Sequence, residues 1–454
     1  MDKLTDYLRY GDVIFRGVRY PADSIRSAVD DLAAYLRREH RGNSPFVYLF
    51  APNHVKTIVS YFATIKAGFV CVLLDPQVGR LELAEYMEDT PPGILIRINS
   101  ETESLDKGAE IEFRDIRVRL KDDLEGVCTM MYTAADDGYA KAAMLTHENI
   151  YVDGDAGVSW NNIAGDSTSC ALIPFYHLFA LQGGVVAPAL VGGTTLVWEE
   201  TMFRRMKNTV DQVARYKVGH LYSVPIVFYM LARCDDANRV ARSVLRAVSG
   251  GYKLSPRVRR VAERHFNVPL QEGYGLTEAG PICSCEPPVN NMSEGSVGKP
   301  FPCCEIKLRG SNQEQIGVGE IGSICVRGTN VMKGYYGHRH LNDRVLAGGW
   351  LHTGDRGYLD QGGYLHLAEV NHRPIVNVGG RNAYLPEVER IASRMPNVKR
   401  IEAHGEPHEL RGGVLKANAE FYRPKQNAES ELRVWMRENM TCYKTPQLIN
   451  GRGR

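Results

Sequence analysis

Four stretches of the chain combine residue types suited to handling a nucleotide. GYGLTEAG, 273–280, sets an aromatic ring, two close glycines, a hydroxyl and a carboxylate side by side. Tyr274 can stack on a planar base, Thr277 can donate to a phosphate oxygen, and Glu278 is a hard oxygen ligand of the kind Mg2+ prefers. SGGYKL, 249–254, offers backbone at Gly250, Gly251 and Tyr252 that can line an adenine. HTGD, 352–355, puts Asp355 in a turn, where its carboxylate can accept hydrogen bonds from two ribose hydroxyls. The fourth stretch, VCTMMYTAADDGYAKAAMLTHENI at 127–150, reads as a buried strand, a small-residue loop and a return strand. Thr146 follows as a helix N-cap. A loop of that shape wraps phosphates when glycines admit the backbone, hydroxyls donate and a cation stands by. Thr133, Gly138 and Lys141 meet those needs, whereas Asp136 and Asp137 place negative charge where donors are wanted. Taken singly, each stretch is explained as well by a solvated turn.

The elements between these stretches alternate. Residues 22–39 repeat Ile25, Val29, Leu32 and Leu36 at helical spacing, an amphipathic surface helix. Residues 44–51 form a buried strand, 53–67 an apolar helix capped by Asn53 and stopped at Gly68, and 69–74 a second strand. A helix at 81–87 and a strand at 93–98 repeat the unit. Further strands are expected at 170–173, 193–198, 218–223, 245–248 and 268–270. Helices are expected at 210–216, at 226–233 and after Ser255-Pro256, with a short one between Pro174 and Gly183-Gly184. In the middle of the chain strands end at Gly- or Pro-rich turns, and open α/β sheets bind ligands at such carboxyl ends. From Glu294 the pattern changes to short, glycine-punctuated strands, and from about Glu369 to a helix, strands and a helix. The expected fold is α/β. A large domain of layered sheets, 1–368, would include a β-barrel-like antiparallel unit at about 294–368. A small, mobile α+β domain, 369–454, would follow.

Bulk composition narrows the function. At 454 residues the chain exceeds one core. Its 55 basic and 53 acidic residues leave a charge of +2, with no like-charged block of the kind a nucleic acid would need. No apolar run reaches the length of a membrane span and the start has no secretory core, so a cytoplasmic protein is expected. The ten cysteines sit mostly in apolar runs and read as core residues of a reduced protein. Cys283, Cys285, Cys303 and Cys304 are close, yet CxC followed by adjacent CC does not match zinc-knuckle spacing.

The motifs gain meaning from their order. YTAADDGYAKAAMLTHENI, LIPFYHLFA, SGGYKLSP, EGYGLTEAGP, GSVGKPFP, GEIGSICVRGTNVMKGYY and GGWLHTGDRGYLD follow one another in an arrangement that resembles the acyl-adenylate-forming, AMP-binding enzyme superfamily. Acyl-CoA synthetases, peptide-synthetase adenylation domains and luciferases belong to it, and the resemblance runs from about 30 to 446. It implies binding of ATP and Mg2+, and joining of a carboxylate to AMP with release of pyrophosphate. Acyl transfer to a thiol, of coenzyme A or a carrier protein, follows rotation of the small domain. By similarity Gly250, Gly251 and Tyr252 flank the adenine and Tyr274 stacks on it. Thr277 meets the α-phosphate, Glu278 the magnesium and Asp355 the ribose, while Thr133, Gly138 and Lys141 are what survives of the phosphate loop. His177 would sit near the acyl pocket, with Val224, Pro225 and Gly275 on its wall; the alternative for His177 and Pro225 is simple packing. The apolar cast of 220–231 suggests a fatty or aryl acid as substrate.

Three departures bear on activity. The family loop has the form YTSGTTGxPKG, and here Ala134, Ala135, Asp136, Asp137, Ala140 and Ala142 replace six of its positions. A carboxylate about 5 Å from a phosphate charge costs on the order of 3 kcal/mol at an effective dielectric near 20. The hinge motif, usually GRxKD, aligns with Val370, Asn371, His372, Arg373 and Pro374, and proline fixes φ where rotation should occur. YKTP, 443–446, matches the final linker, but QLINGRGR follows without the family's last strand or its catalytic lysine. Two functions are therefore expected: an AMP-forming acid–thiol ligase, impaired in adenylation, or a non-catalytic homologue that binds an acyl compound, AMP or acyl-adenylate, or a partner protein.

Overall fold

A computed structural model describes residues 3–98, 105, 109–133, 138–199, 206–234, 236–288, 293–310, 312, 314–368, 375–423 and 425–452. The loop alanines and aspartates at 134–137 and the hinge residues at 370–374 lie outside the described residues. The fold is mixed α/β. By contact the chain divides into one unit of Met1–Leu74, Pro92–Met131 and Ala143–Val370, and another of Asp75–Pro91, Tyr132–Ala142 and Asn371–Arg454.

The first unit is built on a nine-stranded sheet. Val18–Tyr20, Val13–Phe15, Thr194–Leu196, Thr168–Ala171, His220–Ser223, Arg246–Ser249, Leu270–Tyr274, Ser284–Cys285 and Lys299–Pro300 lie side by side in that order. From Val13–Phe15 to Leu270–Tyr274 each neighbour is parallel, so these strands end on one edge. A seven-stranded sheet carries Phe46–Phe50, Val70–Leu74 and Val127–Thr133, whose first five residues are buried in each case. Cys304–Arg309, Gly322–Gly328, Leu351–Leu359 and Leu365–Leu367 form a four-stranded antiparallel sheet.

Helix boundaries follow local chemistry. The helix Ala22–Glu39 buries Ile25, Val29 and Leu36 of the expected stripe together with Ala33, while Leu32 is half-buried. Thr146 caps His147–Asn161 by accepting from the Asn149 N–H at 3.1 Å, and Asn149 returns the bond to the Thr146 N–H. Ser255 likewise accepts from Val258 ahead of Pro256–Phe266. Two expectations need correction. Helix Val55–Lys66 is capped by the His54 ring, which accepts from the Lys56 N–H, while Asn53 donates to the Ile173 carbonyl and accepts from the Phe175 N–H. Gly183-Gly184 also do not end a helix. Leu178–Leu181 runs through a π turn, Gln182–Val186, into Ala187–Val191. The glycines serve close approach instead, since a Cβ on Gly183 would lie 2.6 Å from the Tyr222 ring and one on Gly184 2.8 Å from Ala171 Cβ.

The second unit has a five-stranded sheet of Arg381–Tyr384, Ile375–Val378, Gly412–Phe421 and Val398–His408, with Leu448–Arg452 parallel to Gly412–Phe421. That last strand corrects the expectation that none follows the YKTP turn. Ile449 joins a core with Val376, Val388, Ile391, Leu415, Leu432 and Met436, so the tail has an apolar side chain to bury as well as ladder bonds to make.

The π turn yields a packing test. Gly183→Ala forces a methyl against the buried Tyr222 ring and is expected to destabilise the protein by about 1–3 kcal/mol. The readout is a lower urea midpoint at unchanged slope; an unaltered midpoint would show that the close approach is not needed.

Candidate functional site

Parallel strands Thr168–Ala171, His220–Ser223, Arg246–Ser249 and Leu270–Tyr274 deliver four of the singled-out loops to one edge of the sheet. Their contacts knit together. The Ile226 N–H, just after Pro225, donates to Tyr252 Oη at 2.8 Å. The Phe179 ring lies against Gly250, where a Cβ would approach to 3.3 Å, and meets Tyr222 edge-on at 6.0 Å. Gly251 has φ +88°, a left-handed conformation that glycine adopts without strain. His177 precedes the helix Leu178–Leu181, half-buried, its ring 4.9 Å from that of Tyr176. Val224 and Pro225 are buried at the start of Pro225–Ala232.

Two motifs 81 residues apart meet directly: Tyr274 Oη donates to Asp355 Oδ2 at 2.8 Å. Burial pushes the Tyr274 phenol well above its ordinary pKa, with the Asp355 charge adding to it, so it stays a donor. HTGD is not the turn its sequence suggests but part of the strand Leu351–Leu359, where Gly354 has φ +73° and the pairing with Gly322–Gly328 shifts register. The Asp355 N–H donates to Thr353 Oγ1, which donates to the Ile324 carbonyl of the neighbouring strand. Glu278 is buried in the short 3-10 turn Thr277–Ala279, and its Oε1 accepts from Tyr335 Oη at 2.8 Å. A carboxylate steadied by one phenol beside a threonine hydroxyl is a donor set that fits one hard divalent cation sharing its other ligands with phosphate and water. Gly275 is different from expectation in its reason: a Cβ there would lie 1.8 Å from the Pro281 carbonyl oxygen, so close packing of its own loop demands glycine.

Behind Tyr274 stands a buried charge network that the sequence did not reveal. Arg259 reaches Glu286 at 3.0 Å and Glu272 at 3.3 Å, and Glu286 also accepts from the Glu272 N–H at 2.6 Å. Glu272 in turn accepts from the Leu254 N–H, at the end of SGGYKL. Burial pushes the Glu272 carboxyl up to about 7, against the lowering effects of the Leu254 N–H and Arg259. Burial raises Glu286 too. The signal was a lone glutamate before GYG and an arginine in the helix after Ser255-Pro256.

Thr133, Gly138 and Lys141 fall in the second unit. Gly138 has φ +78°, and Lys141 is only 4% exposed, with Nζ 5.6 Å from the Tyr139 ring centroid. Arg390, from Leu385–Ala392, donates through Nε to the Gly138 carbonyl at 3.3 Å and lies 4.1 Å from the Tyr139 ring. It also makes a bidentate pair with Glu85 at 2.5 and 2.8 Å. In the same unit Lys444 of YKTP is buried between two carboxylates, 2.6 Å from Glu82 and 2.8 Å from Glu387. Glu82 accepts further from the N–H and hydroxyl of Thr441, both at 2.6 Å. Burial alone would lower the Lys444 pKa, but Glu387 and Glu82 outweigh it and raise it well above the ordinary value. Glu387 moves up, chiefly through burial, against the lowering effect of Lys444. The meeting of Lys444 with Glu82 and Glu387, and the pairing of Glu85 with Arg390, came only from the structure.

Cys283 and Cys285 are buried on adjoining chain, and Cys304 Sγ donates to the Cys283 carbonyl at 3.2 Å. Among the described residues no group of three His, Cys, Asp or Glu side chains is arranged to hold a metal. Nor, among them, is any helix long and apolar enough to cross a membrane.

Comparisons with known proteins bear on the family and the fold. The family model described as "AMP-binding enzyme" matches residues 12–336. The chain is 31% identical over 334 residues to a long-chain-fatty-acid–CoA ligase of Escherichia coli O157:H7, an alignment covering 72% of this chain and 58% of that protein. It is thus matched to little more than half the length of that relative. It is 29% identical to a feruloyl-CoA synthase of an Amycolatopsis species, over 89% of this chain and 84% of that one. Its fold is that of o-succinylbenzoate CoA synthetase from Bacillus subtilis, with a TM-score of 0.84 and 22% identity, over 99% of this chain and 94% of that one.

Two predictions rest on the buried charges. A carboxyl whose folded pKa lies above its unfolded value stabilises fully below the unfolded pKa, and loses that contribution as pH rises through the folded one. Wild-type stability relative to Glu272→Gln is therefore expected to fall by on the order of 2–3 kcal/mol between pH 4.5 and pH 8. Urea unfolding of both proteins across that range measures it, and a pH-independent difference contradicts it. Lys444→Met leaves two buried carboxylates without their cation and is expected to cost about 3–5 kcal/mol. A thermal midpoint within a degree of wild type would show that the cluster is not under that electrostatic demand.

Proposed function

Since the chain belongs to the AMP-binding enzyme family, we propose that it is an AMP-forming acid–thiol ligase, activating a carboxylate with ATP and passing the acyl group to a thiol. The observation that carries this reading is the Tyr274–Asp355 hydrogen bond, which unites the base-stacking and ribose-binding candidates in one half-buried pair. The adenine would lie between the Gly250–Gly251–Tyr252 backbone and the Tyr274 ring, with Asp355 accepting from the ribose hydroxyls. Thr277 would donate to the α-phosphate, and Glu278, oriented by Tyr335, would hold the magnesium. When bound, Mg2+ supplies charge neutralisation on the phosphate oxygens. Thr133, Gly138 and Lys141 would contact the outer phosphates. His177 would border the acyl pocket, walled by Val224 and Pro225, and the apolar helix Pro225–Ala232 suits a fatty or aryl acid, the classes named for the ligases it resembles. The thiol would be that of coenzyme A or of an acyl carrier protein. Ten free cysteines suit a reducing compartment, the cytoplasm. The small domain would begin near residue 369.

A second reading is favoured by one observation: Lys141, the loop's cation, is buried beneath Tyr139, in a loop whose sequence supplies two aspartates. In that reading the protein holds AMP or an acyl-adenylate made elsewhere and lacks the adenylation step.

Acid-dependent exchange of labelled pyrophosphate into ATP separates the two. With a panel of fatty and aryl acids the ligase reading expects exchange that Thr277→Val or Glu278→Gln lowers by about 100-fold, the loss typical of a removed transition-state donor. No exchange with any acid, alongside measurable AMP binding, would overturn adenylation and leave the second reading.

A further inference from the structure

We propose that Cys303 and Cys304 form a reversible oxidation site, at which the two neighbouring thiols close into a disulfide as they reduce a peroxide. The inference goes beyond the ligase reading, since it requires neither nucleotide nor acid. Both residues are half-buried, so solvent reaches them, whereas Cys71, Cys128, Cys170, Cys283 and Cys285 are buried. Burial pushes each of those buried thiols up, which keeps them protonated and unreactive.

The pair sits where a turn enters a strand. Cys304 begins Cys304–Arg309, lies opposite Gly328, and its N–H donates to the Phe301 carbonyl at 3.0 Å. Its Sγ is 3.2 Å from the Cys283 carbonyl oxygen. That oxygen also accepts from the Phe301 N–H at 2.8 Å, so it keeps a donor when the thiol loses its proton. The Cys303 thiol hydrogen-bonds to the Cys304 sulfur and holds it below the ordinary thiol pKa, against burial, with the Phe301 backbone and the Asn330 side chain adding to the effect. Cys303 moves the other way, through the same hydrogen bond first and burial next. One sulfur is thus prepared as the nucleophile, and the other stands beside it as the resolving thiol.

Two steps balance the chemistry. The Cys304 thiolate attacks the peroxide, forming an S–O bond and breaking the O–O bond. The hydroxide or alkoxide that departs takes up the proton the thiol had released. The Cys303 sulfur then displaces hydroxide from the sulfenic acid, forming the S–S bond and breaking S–O, and its proton leaves in water. Each thiol gives up one electron and the peroxide gains both. Adjacent Cα atoms are about 3.8 Å apart, closer than the roughly 4.4–6.8 Å of ordinary disulfides, so the bond is strained and a thiol reductant reopens it.

The change reaches the nucleotide loop, a link that rests on the reading of that loop given above. The Cys283 N–H donates to the Tyr274 carbonyl at 2.9 Å, and Asn330 donates to the Ala279 and Ile282 carbonyls at 2.7 and 3.1 Å. Drawing the Cys304 sulfur away from Cys283 and Asn330 disturbs what supports Tyr274 and the Thr277–Ala279 turn.

Peptide mass mapping of the reduced full chain, treated with a few equivalents of hydrogen peroxide and then alkylated, tests the site. The expected product is one peptide containing both Cys303 and Cys304, unalkylated, lighter by two hydrogens than the dithiol and restored by dithiothreitol. Cys303→Ser should instead leave a sulfenic acid at Cys304 that dimedone traps. The wild-type product needs no variant, so poor folding of the serine protein leaves the test intact. Oxidation confined to Cys234 or Cys442, or a link from Cys304 to Cys283, would overturn the inference. In AMP titrations the oxidised chain is expected to bind about threefold more weakly than the reduced one, the low end of one lost hydrogen bond. Equal affinities would overturn the link to the Tyr274 loop. A reduced chain that binds no AMP would count against the ligase reading alone, and the disulfide would stand.

Discussion

The site depends first on a half-buried phenol finding a partner. Tyr274 sits at the last position of its strand, where burial keeps its hydroxyl protonated and in need of an acceptor. Asp355 meets that need by accepting the bond, worth about 1.5–3 kcal/mol when the acceptor is charged. The same bond aims the carboxylate. Tyr274 is held in turn by the Cys283 N–H on its carbonyl and by antiparallel pairing of 273–274 with 284–285. Two residues earlier, Glu272 fixes the strand to Arg259, Glu286 and the SGGYKL turn. The candidate adenine wall and ribose acceptor thus share one support, and a disturbance of either reaches the other.

The second unit solves a different electrostatic problem. Its helix Leu385–Ala392 brings Glu387 and Arg390 to the Arg80–Asp89 helix, where Glu82 and Glu85 wait. Lys444 between two buried carboxylates is strong because all three are dry, and fragile for the same reason, since no solvent replaces a lost partner. Arg390 extends the arrangement to the carbonyl of Gly138, so the described end of the phosphate-type loop is positioned by charge as well as by glycine geometry.

Much of this was legible in the sequence, for identifiable reasons. Local signals carried well: the Ala22–Glu39 stripe, the Thr146 and Ser255 caps, and the strand Val127–Thr133 each rest on periodicity or a side chain within three residues. Motif order supplied the rest of the nucleotide candidates, and Tyr274 and Asp355 do meet. What failed was decided by tertiary contact. Asn53 looks like a cap but is drawn off to residues 173–175, and Gly183-Gly184 look like a helix stop but are a slot for Tyr222. The Glu272–Arg259–Glu286 network and the Lys444 cluster join residues far apart in sequence, and nothing in their spacing could show them. The final strand was missed because Ile449 is its lone buried apolar residue, between an exposed Leu448 and the polar Asn450.

The central claim is that a nucleotide monophosphate sits on the Tyr274–Asp355 pair. Titration calorimetry of AMP against wild type and Tyr274→Phe tests it most directly, because phenylalanine keeps the stacking ring and removes only the bond that aims the carboxylate. The account predicts AMP binding by wild type and about tenfold weaker binding by the variant, the effect of roughly 1.4 kcal/mol lost from one hydrogen bond. No AMP binding by wild type, or equal affinity in both proteins, would contradict it.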